Sequence, residues 1–351
     1  MTVAKNLYLN GELLTDLIIP SDVTEISDYA FYYCLNIKSL VIPEGVETLG
    51  NSAFSLCGDL VDVSLPDSLM NFGSSVFSGC SNLKYTETGN AKYLGNSGNP
   101  YLVLISQIDK NHTLCKINSA TRFINGSAYS RSSITSVTIP DSVISIGSSV
   151  FEGSTLEYVT VGSGVKEIGW YAFHCRSLES LKVAAGNSVY HSSGNCIIVT
   201  ETKELLVGCG YSNIPSDGSV TSIANGAFGA STVLRSIRIP DTVTKIGDAA
   251  FWACIYLSSV TLGSGLEYID RQAFKASGIR SITIPASVNY IGESAFTDND
   301  NLTSVKFENT SGWRLPGTDM WGNITYINVS NPSQNATYLL KTYNTSTWVR
   351  E

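Results

Sequence analysis

Eight cysteines are the residues of this 351-residue chain best suited to redox or metal chemistry. Thiolates bind zinc and thiols pair as disulfides, but both roles need cysteines that come together in space. Five of them instead follow a recurring aromatic residue by two or three positions: Cys34, Cys57, Cys80, Cys175 and Cys254. We therefore expect these five to pack in the core as small hydrophobic side chains, with redox or metal chemistry as the alternative.

Cys196 and Cys209 lie in a segment that departs from the recurring pattern. The segment runs N-C-I-I-V, then E-T-K-E, then L-L-V-G-C, which is typical of a β-hairpin. A turn centred on Thr202 and Lys203 places Cys196 opposite Cys209. A disulfide and a pair of buried thiols both fit this arrangement, and the sequence leaves both open.

The other residues suited to catalysis or metal binding are scattered. His112, His174 and His191 lie in different repeats and lack the spacing of metal ligands. Asp298 and Asp300 are similar to the start of a calcium loop, but the glycine and glutamate that such a loop requires are missing. Neither a phosphate-binding loop nor a nucleophile elbow occurs. The sequence therefore predicts a protein that is not an enzyme, with no metal site and no cofactor.

Net charge and composition restrict the classes of binding partner and the cellular location that we expect. The net charge of −8 argues against nucleic acid, which requires a basic face. No apolar run of about 18 residues is present, so we expect no transmembrane segment. Charged residues make up only 15% of the chain, which is typical of secreted or surface β-rich proteins. The N-terminus lacks a secretory signal, so either the protein is cytosolic or its signal was removed. We expect an extracellular or cell-surface location, with the signal peptide and any anchor absent from this sequence.

A sequence motif recurs every 22 or 23 residues, and most of the cysteines described above occupy one position in it. The copy that begins at Ile239 runs I-P-D-T-V-T-K-I-G-D-A-A-F-W-A-C-I-Y-L-S-S-V-T-L. A fixed period of this length predicts stacked repeats. The aromatic column of the repeats comprises Phe31, Phe54, Phe77, Tyr129, Phe151, Phe173, Phe228, Phe251, Phe274 and Phe296. We expect it to form a ladder through a continuous core.

Each repeat contains one clear strand signal. The L-x-x-V-x-I stretch alternates and is β-branched, which predicts a short strand that pairs in parallel with its neighbours. The A-F-x-x-C segment is too short for an α-helix and is predicted to be a 3₁₀ or single-turn element. Two segments interrupt the period, at about 84–117 and 184–215, and each is interpreted as a β-hairpin that projects from the stack. In the first, Y-L-V-L-I is paired with T-L-C-K-I across a D-K-N turn.

The end of the chain departs from the repeat. We predict a solenoid of about ten repeats over 1–308 and an aromatic-rich cap over 309–351. The cap contains Trp313, Trp321 and Trp348. Because large aromatic residues dominate burial, we interpret these tryptophans as the core of the cap rather than as a sugar-binding platform.

The segments V-T-I-P-D-S-V-I-S-I-G-S-S-V-F (137–151) and I-R-I-P-D-T-V-T-K-I-G-D-A-A-F-W-A-C (237–254) resemble the BspA-like class of leucine-rich repeats. The resemblance covers essentially the whole chain. It implies a leucine-rich-repeat solenoid, a right-handed superhelix with parallel strands on the concave face and short 3₁₀ or helical turns on the convex side. Members of the family are typically surface or secreted proteins of host-associated anaerobic bacteria, some linked to adhesion. The resemblance assigns no catalytic or ligand-binding residue. Tyr129 and the two interruptions depart from the pattern.

Outward positions on the strands are the remaining place for a binding function. Most of them carry serine or threonine, and larger side chains are the exception. Tyrosine and arginine are enriched at binding hot spots. The resulting candidate ligand site on the concave face is Tyr158, Lys182, Arg235, Arg238, Arg280 and Lys306. A solvated face with scattered charges is the alternative.

Three functions are compatible with these patterns. The first is adhesion or another protein–protein interaction, with a ligand on a host or neighbouring cell. The second is a structural spacer that presents another domain. The third is carbohydrate binding through Tyr158, Trp170, Trp252 or the tail tryptophans. The long strand face and its few large side chains favour the first.

Overall fold

The structure is a computed structural model that describes residues 8–9, 12–13, 15–315 and 324–350. It contains two compact units. Unit 1 comprises Met1–Ser154 and Val161–Phe173, and unit 2 comprises Thr155–Thr160 and His174–Glu351. Both consist mainly of short strands and turns.

Strands β1 to β16 cover the first part of the chain, and none is longer than five residues. They are β1 (Tyr8–Leu9), β2 (Glu12–Leu13), β3 (Asp16–Ile18), β4 (Glu25–Ile26), β5 (Ser39–Val41), β6 (Thr48–Leu49), β7 (Asp62–Ser64), β8 (Asn71–Phe72), β9 (Thr86–Thr88), β10 (Ala91–Leu94), β11 (Val103–Gln107), β12 (Phe123–Ile124), β13 (Ser136–Thr138), β14 (Ser145–Ile146), β15 (Tyr158–Val161) and β16 (Glu167–Ile168).

The remaining elements add one short helix near the C-terminus. The strands are β17 (Ser180–Val183), β18 (Tyr190–Ser193), β19 (Cys196–Val199), β20 (Glu204–Val207), β21 (Ser222–Ile223), β22 (Ser236–Arg238), β23 (Lys245–Ile246), β24 (Ser259–Thr261), β25 (Tyr268–Ile269), β26 (Ser281–Ile284), β27 (Tyr290–Ile291), β28 (Ser304–Phe307), β29 (Trp313–Leu315), β30 (Thr325–Tyr326) and β31 (Trp348–Arg350). Helix α1 (Pro332–Thr337) is followed by a π-helical turn, Tyr338–Thr342.

Repeats of unit 1 contribute strands to two different parallel series. Strands β3, β5 and β7 pair in parallel and correspond to the predicted L-x-x-V-x-I strand, which confirms that prediction. Strands β4, β6 and β8 form a second parallel series, and β12, β14 and β16 form another of the same kind. This second series was not predicted from the sequence, because a two-residue strand is too short to show alternation.

Unit 2 follows the same plan. Strand β22 pairs in parallel with β24, and β26 pairs in parallel with β28. The second series runs through β21, β23, β25 and β27. It continues on one side into antiparallel β31, β29 and β30, and on the other into β20, β19 and β18. The regular repeats are therefore continuous with both irregular segments of this unit.

The predicted aromatic ladder forms in three runs of stacked rings, which are Phe31 to Phe77, Tyr129 to Phe173 and Phe228 to Phe296. In unit 1, Phe31 and Phe54 have ring centroids 5.1 Å apart and planes inclined by 6°. In unit 2, Phe251 and Phe274 are 5.1 Å apart with planes inclined by 3°. All three rings of the set Phe54, Phe251 and Phe274 are fully buried. The repeat spacing thus produces a near-parallel stack of rings in the core.

The A-F-x-x-C segment forms a succession of turns, so of the two predicted alternatives the 3₁₀ helix is wrong and a turn is present. Ser52 and Leu56, two residues on either side of Phe54, have φ of 53° and 62°, whereas a 3₁₀ helix needs negative values throughout. The N–H of Ser55 donates to the Ser52 carbonyl at 3.1 Å within the turn. The N–H of Phe54 donates instead to the Val76 carbonyl of the next repeat at 3.0 Å. Backbone groups therefore bond alternately within a repeat and to its neighbour.

The first interruption has a different pairing from the one predicted. Strand β11 pairs antiparallel with β10, which precedes it, and β10 pairs with β9. Residues 113–117 contain no strand, and only Leu114 forms an isolated bridge, with Ser136. Strand β11 also pairs in parallel with β12, so the segment joins the sheet of unit 1 instead of projecting from it. The short A-K-Y-L strand was missed because it follows a turn and carries a lysine within its apolar run.

The second interruption is a hairpin of β19 and β20, as predicted, preceded by β18 on the edge. Strand β20 pairs in parallel with β21, so this hairpin also lies within the sheet and does not project. A hairpin that pairs with the first strand of a parallel series provides hydrogen-bond partners for the backbone groups of that strand.

Large aromatic residues fill the end of unit 2. Trp313 and Trp348 are 1% and 0% exposed, and Phe307 lies edge-on to Trp313 at 5.1 Å. Helix α1 begins after Asn331, whose side chain accepts hydrogen bonds from the N–H groups of Ser333 and Gln334. The burial of both tryptophans supports a cap over 309–351, and that boundary stays a prediction. Trp321 lies outside the described residues.

Candidate functional site

The recurring cysteines act as hydrogen-bond donors in the core. The thiols of Cys57, Cys80 and Cys254 donate to the carbonyls of Phe31, Phe54 and Phe228, at 3.2, 3.2 and 3.1 Å. Each carbonyl belongs to the preceding repeat, so the thiols link neighbouring repeats. Burial raises the pKa of the Cys254 thiol to about 12, so at neutral pH it is a protonated donor and not a reactive thiolate.

Serine and asparagine fill the same column where cysteine is missing. Ser277 Oγ donates to the Phe274 carbonyl at 2.9 Å. Asn299 Nδ2 donates to the same carbonyl at 2.8 Å and to the Phe296 carbonyl at 2.6 Å. The shared property of the column is a small donor that reaches a phenylalanine carbonyl, which hydrophobicity alone does not describe.

Cys196 and Cys209 are both buried thiols in this structure. The hairpin pairs Ile198 with Leu205 and, after a bulge, Ile197 with Val207. This register differs from the predicted one that set Cys196 opposite Cys209. The Cys209 thiol donates to the Glu179 carbonyl at 3.2 Å. A disulfide between them stays a prediction, and intact mass measured before and after alkylation of the denatured protein tests it.

The histidines remain apart from one another. His191 Nδ1 lies 3.0 Å from Thr200 Oγ1, and the His174 ring stacks on Trp252 with centroids 6.0 Å apart. His112 Nδ1 lies 3.1 Å from the Leu114 carbonyl oxygen. The described residues contain no group of three or more histidine, cysteine, aspartate or glutamate side chains able to hold a metal ion. Nor does that part of the chain contain a helix long and apolar enough to cross a membrane.

Tyr158 and Lys182 lie on the neighbouring strands β15 and β17. Tyr158 is 48% exposed, and its hydroxyl donates to Glu179 Oε2 at 3.3 Å. The negative charge of Glu179 raises the pKa of the Tyr158 hydroxyl, with a smaller contribution from Glu157. Strand β17 contacts β18 and β19 of the inserted hairpin. These two candidates therefore lie together on the sheet of β13, β15 and β17, which is separate from the sheets that contain β22 and β26.

The four other predicted residues belong to β22, β26 and β28. Arg238 lies opposite Thr261, and Lys306 lies opposite Thr283. Arg235 and Arg280 immediately precede β22 and β26. All four are exposed, and none forms an ion pair with another described residue. The Arg235 guanidinium lies over the Tyr256 ring, 5.4 Å from its centroid.

The outward side chains of β22, β24, β26 and β28, with the residue that precedes each strand, are called here the strand face of unit 2. The strand face carries only hydroxyl and cationic side chains: Arg235, Ser236, Arg238, Ser258, Ser259, Thr261, Arg280, Ser281, Thr283, Thr303, Ser304 and Lys306. The inward residues between them, such as Val260 and Val305, are buried. Cations without carboxylate partners on a hydroxyl surface suit an anionic ligand.

A groove that the sequence analysis missed crosses this strand face. It has a volume of about 700 Å³ and is lined by residues of β24, β26 and β28 and of adjacent turns, including the turn after β22. Its floor includes Ser259, Thr261, Ser281 and Thr283, and Lys306 lies at one side. The Ser-x-Thr spacing of β24 and β26 correctly predicts that these hydroxyl side chains face outward. Their arrangement as a groove depends on how successive strands curve, which no single repeat encodes.

The aromatic residues considered for sugar binding differ in burial and belong to different units. Trp170 is 65% exposed in unit 1, and Trp252 is 38% exposed in unit 2, where it stacks on His174. Trp313 and Trp348 are buried, so they do not provide a sugar platform. The tail-tryptophan version of the carbohydrate hypothesis is therefore wrong for these two residues.

A family model for the BspA-type leucine-rich repeat region matches the chain in six copies, over residues 2–98, 108–205 and 202–312. Among solved structures, the pneumococcal vaccine antigen PcpA is similar, with a TM-score of 0.52 and 18% identity over 88% of this chain and 72% of that one. A leucine-rich cell surface protein from Faecalibacterium prausnitzii A2-165 has a TM-score of 0.47 and 22% identity, over 88% and 87% of the two chains. No match is found among curated protein sequences. The first likeness shows the leucine-rich-repeat solenoid fold, and neither neighbour names a ligand.

Proposed function

The chain belongs to the BspA-type leucine-rich-repeat family, and from this premise we propose that it is a non-enzymatic interaction module that binds a protein ligand on the strand face of unit 2. The ligand belongs to the surface of a host or neighbouring cell. Low charge content and family membership support a secreted or cell-surface location.

One observation carries the proposal: Arg235, Arg238, Arg280 and Lys306 are exposed on a strand face that holds no carboxylate. Exposed cations that serve no ion pair contribute little to folding. They do raise the rate and selectivity of association with a partner of opposite charge. Their concentration on one face of a chain with a net charge of −8 therefore supports a binding role.

A photo-crosslinking experiment tests the binding face. A benzophenone amino acid replaces Thr261 on β24 in one variant and Val41 on β5 in the matched control, since both occupy the third, outward position of a strand. Each variant is irradiated with intact host or neighbouring bacterial cells. We expect discrete protein adducts with the Thr261 variant and few with the Val41 variant. Adducts of equal yield, or none with the Thr261 variant, contradict the proposal.

A further inference from the structure

The groove of unit 2 has the size of a ligand site and a polar floor. Its volume of about 700 Å³ lies within the range of pockets that hold ligands, about 300–1,000 Å³. Ser259, Thr261, Ser281 and Thr283 are exposed on its floor. Each hydroxyl both donates and accepts a hydrogen bond, so the floor matches a ligand that presents N–H and C=O groups in alternation. An extended peptide backbone has this property.

Lys306 lines the groove, and Arg238 lies beside it on the neighbouring strand β22. Arg238 lies opposite Thr261 at one end, and Lys306 lies opposite Thr283 at the other. Strands β22 and β28 are three strand positions apart, which corresponds to about 14 Å at roughly 4.8 Å for each step. An extended peptide advances about 3.4 Å for each residue, so two of its carboxylates about four residues apart span the distance between the cations.

The two carboxylates at the margin of the groove are engaged by backbone groups. Asp241 Oδ1 accepts a hydrogen bond from the Ser264 N–H at 2.7 Å, and this bond lowers the pKa of Asp241. Glu308 Oε2 accepts one from the Ala286 N–H at 3.1 Å. Both carboxylates thus hold turns in place, and neither forms an ion pair with Arg238 or Lys306. Neither cation is held in an ion pair with another described residue, although the charge of Arg238 adds to the lowering of the Asp241 pKa.

We infer that the groove binds an extended acidic peptide segment of the protein partner, with carboxylates at Arg238 and Lys306 and the backbone on the hydroxyl floor. This inference rests on the proposed function and specifies the chemistry of its ligand. The lining residues of the groove include no aromatic side chain. Sugars are commonly held by stacking on aromatic rings, so the groove favours a peptide over a glycan chain.

Fluorescence anisotropy with defined probes tests the inference. The main probe is a labelled peptide of about ten residues that alternates serine and aspartate, and its match replaces every aspartate with asparagine. An oligogalacturonate of similar charge represents an anionic glycan. The purified full chain is titrated with each probe at low salt and again near physiological salt.

Paired charge reversals locate the binding. The double variant R238E/K306E reverses the cations at the groove, and K38E/K84E makes the same change of charge in unit 1, on exposed Lys38 before β5 and on exposed Lys84, which pairs with Asp62 of β7. We expect the aspartate peptide to bind, the asparagine peptide to bind at least about tenfold more weakly, and R238E/K306E to lose about tenfold in affinity. The K38E/K84E control and the conservative R238K/K306R variant retain binding within about twofold.

Each contrary result has a distinct meaning. Tighter binding of oligogalacturonate than of the aspartate peptide overturns the inference in favour of a glycan. Equal loss in R238E/K306E and K38E/K84E overturns the groove as the binding site. Failure of every probe, with protein adducts still formed at Thr261, refutes the acidic peptide but leaves the proposed function standing. If the adducts at Thr261 are also missing, the proposed function fails as well.

Discussion

The strand faces of unit 1 and unit 2 are built on the same parallel pairing but carry different side chains. In unit 1, Ile18 and Val41 lie opposite each other on β3 and β5 and are 85% and 64% exposed. Asp62 on β7 forms an ion pair with Lys84 at 3.9 Å. In unit 2, the corresponding positions of β22 to β28 carry hydroxyl groups and unpaired cations. The face of unit 1 thus presents two exposed apolar side chains and an ion pair, whereas the face of unit 2 presents hydroxyl groups and four cations that form no ion pair with another described residue.

The interiors of the two units are nearly interchangeable. Phe54 and Phe251 are each fully buried within a near-parallel aromatic stack. Cys57 and Cys254 each donate to a phenylalanine carbonyl of the preceding repeat. Every stacked repeat must satisfy the same backbone groups and fill the same volume, so its interior varies little. The outward positions have no such constraint, and specific function is therefore expected in their differences.

The largest predicted effect tests whether the interiors are equivalent. Phe54→Ala in unit 1 and Phe251→Ala in unit 2 are each expected to lower the free energy of unfolding by about 3–5 kcal/mol, because each leaves a ring-sized cavity in the stack. Urea denaturation followed by circular dichroism measures both. Val41→Ala, at an exposed position, is the control and is expected to change it by less than about 0.5 kcal/mol. A difference above about 2 kcal/mol between the phenylalanine variants contradicts the equivalence.

The next largest effect on stability is predicted at glycines where the backbones of neighbouring repeats approach each other closely. A Cβ added at Gly147 would lie 2.5 Å from the Gly126 nitrogen of the preceding repeat, and one added at Gly292 would meet the Arg271 nitrogen. Gly147→Ala and Gly292→Ala are each expected to cost about 1–3 kcal/mol by forcing neighbouring repeats apart. Gly58→Ala is the control, since its Cβ would have ordinary contacts at 3.8 Å or more. Equal urea midpoints for all three variants would remove close approach as the reason for these glycines.

The parts of the fold that occur in every repeat were predictable from the sequence. The aromatic stack at Phe54 and Phe251 and the parallel strand at Val260 follow from residue type and period alone. The second series, such as Lys245–Ile246, was missed because two residues show no periodicity. Left-handed Ser52 was missed because serine does not signal a positive φ as glycine does.

The candidate site was predictable as a set of residues but not as a shape. The phase of the repeat placed Arg238 and Lys306 on outward strand positions, where the structure has them. Their relation to a groove depends on the packing of β24 against β26, which involves several repeats at once. The first interruption shows the same limit, because pairing of β11 with β10 rather than with residues 113–117 is decided by the whole sheet.

A smaller effect is predicted for the column of small hydrogen-bond donors that includes Cys254 and Ser277. Cys254→Ala removes both the thiol volume and the hydrogen bond to the Phe228 carbonyl, and is expected to cost about 1–2 kcal/mol. Cys254→Ser is expected to cost less than half as much, since a hydroxyl at this position can still donate to a phenylalanine carbonyl, as Ser277 does within its own repeat. The same urea titrations measure both variants. If serine proves as costly as alanine, packing and not hydrogen bonding determines which residue the column accepts.

The smallest predicted effect on stability separates fold from function. R235E/R238E/R280E reverses three exposed charges that form no ion pair, so it is expected to change the free energy of unfolding by less than about 1 kcal/mol. We expect the variant to be slightly less stable than the original chain. The net charge of −8 becomes more negative, and the glutamate introduced by R238E lies near Asp241.

The same triple variant is expected to abolish crosslinking from Thr261, while K84E, which breaks the ion pair of unit 1 with Asp62, leaves it intact. Both variants are measured side by side by urea denaturation and by adduct yield. A large loss of stability in the triple variant means that the cations of unit 2 serve the fold, and the contrast between the two strand faces then concerns folding. Unchanged stability with lost adducts assigns those cations to binding, because their reversal then affects a contact outside the chain and not the fold.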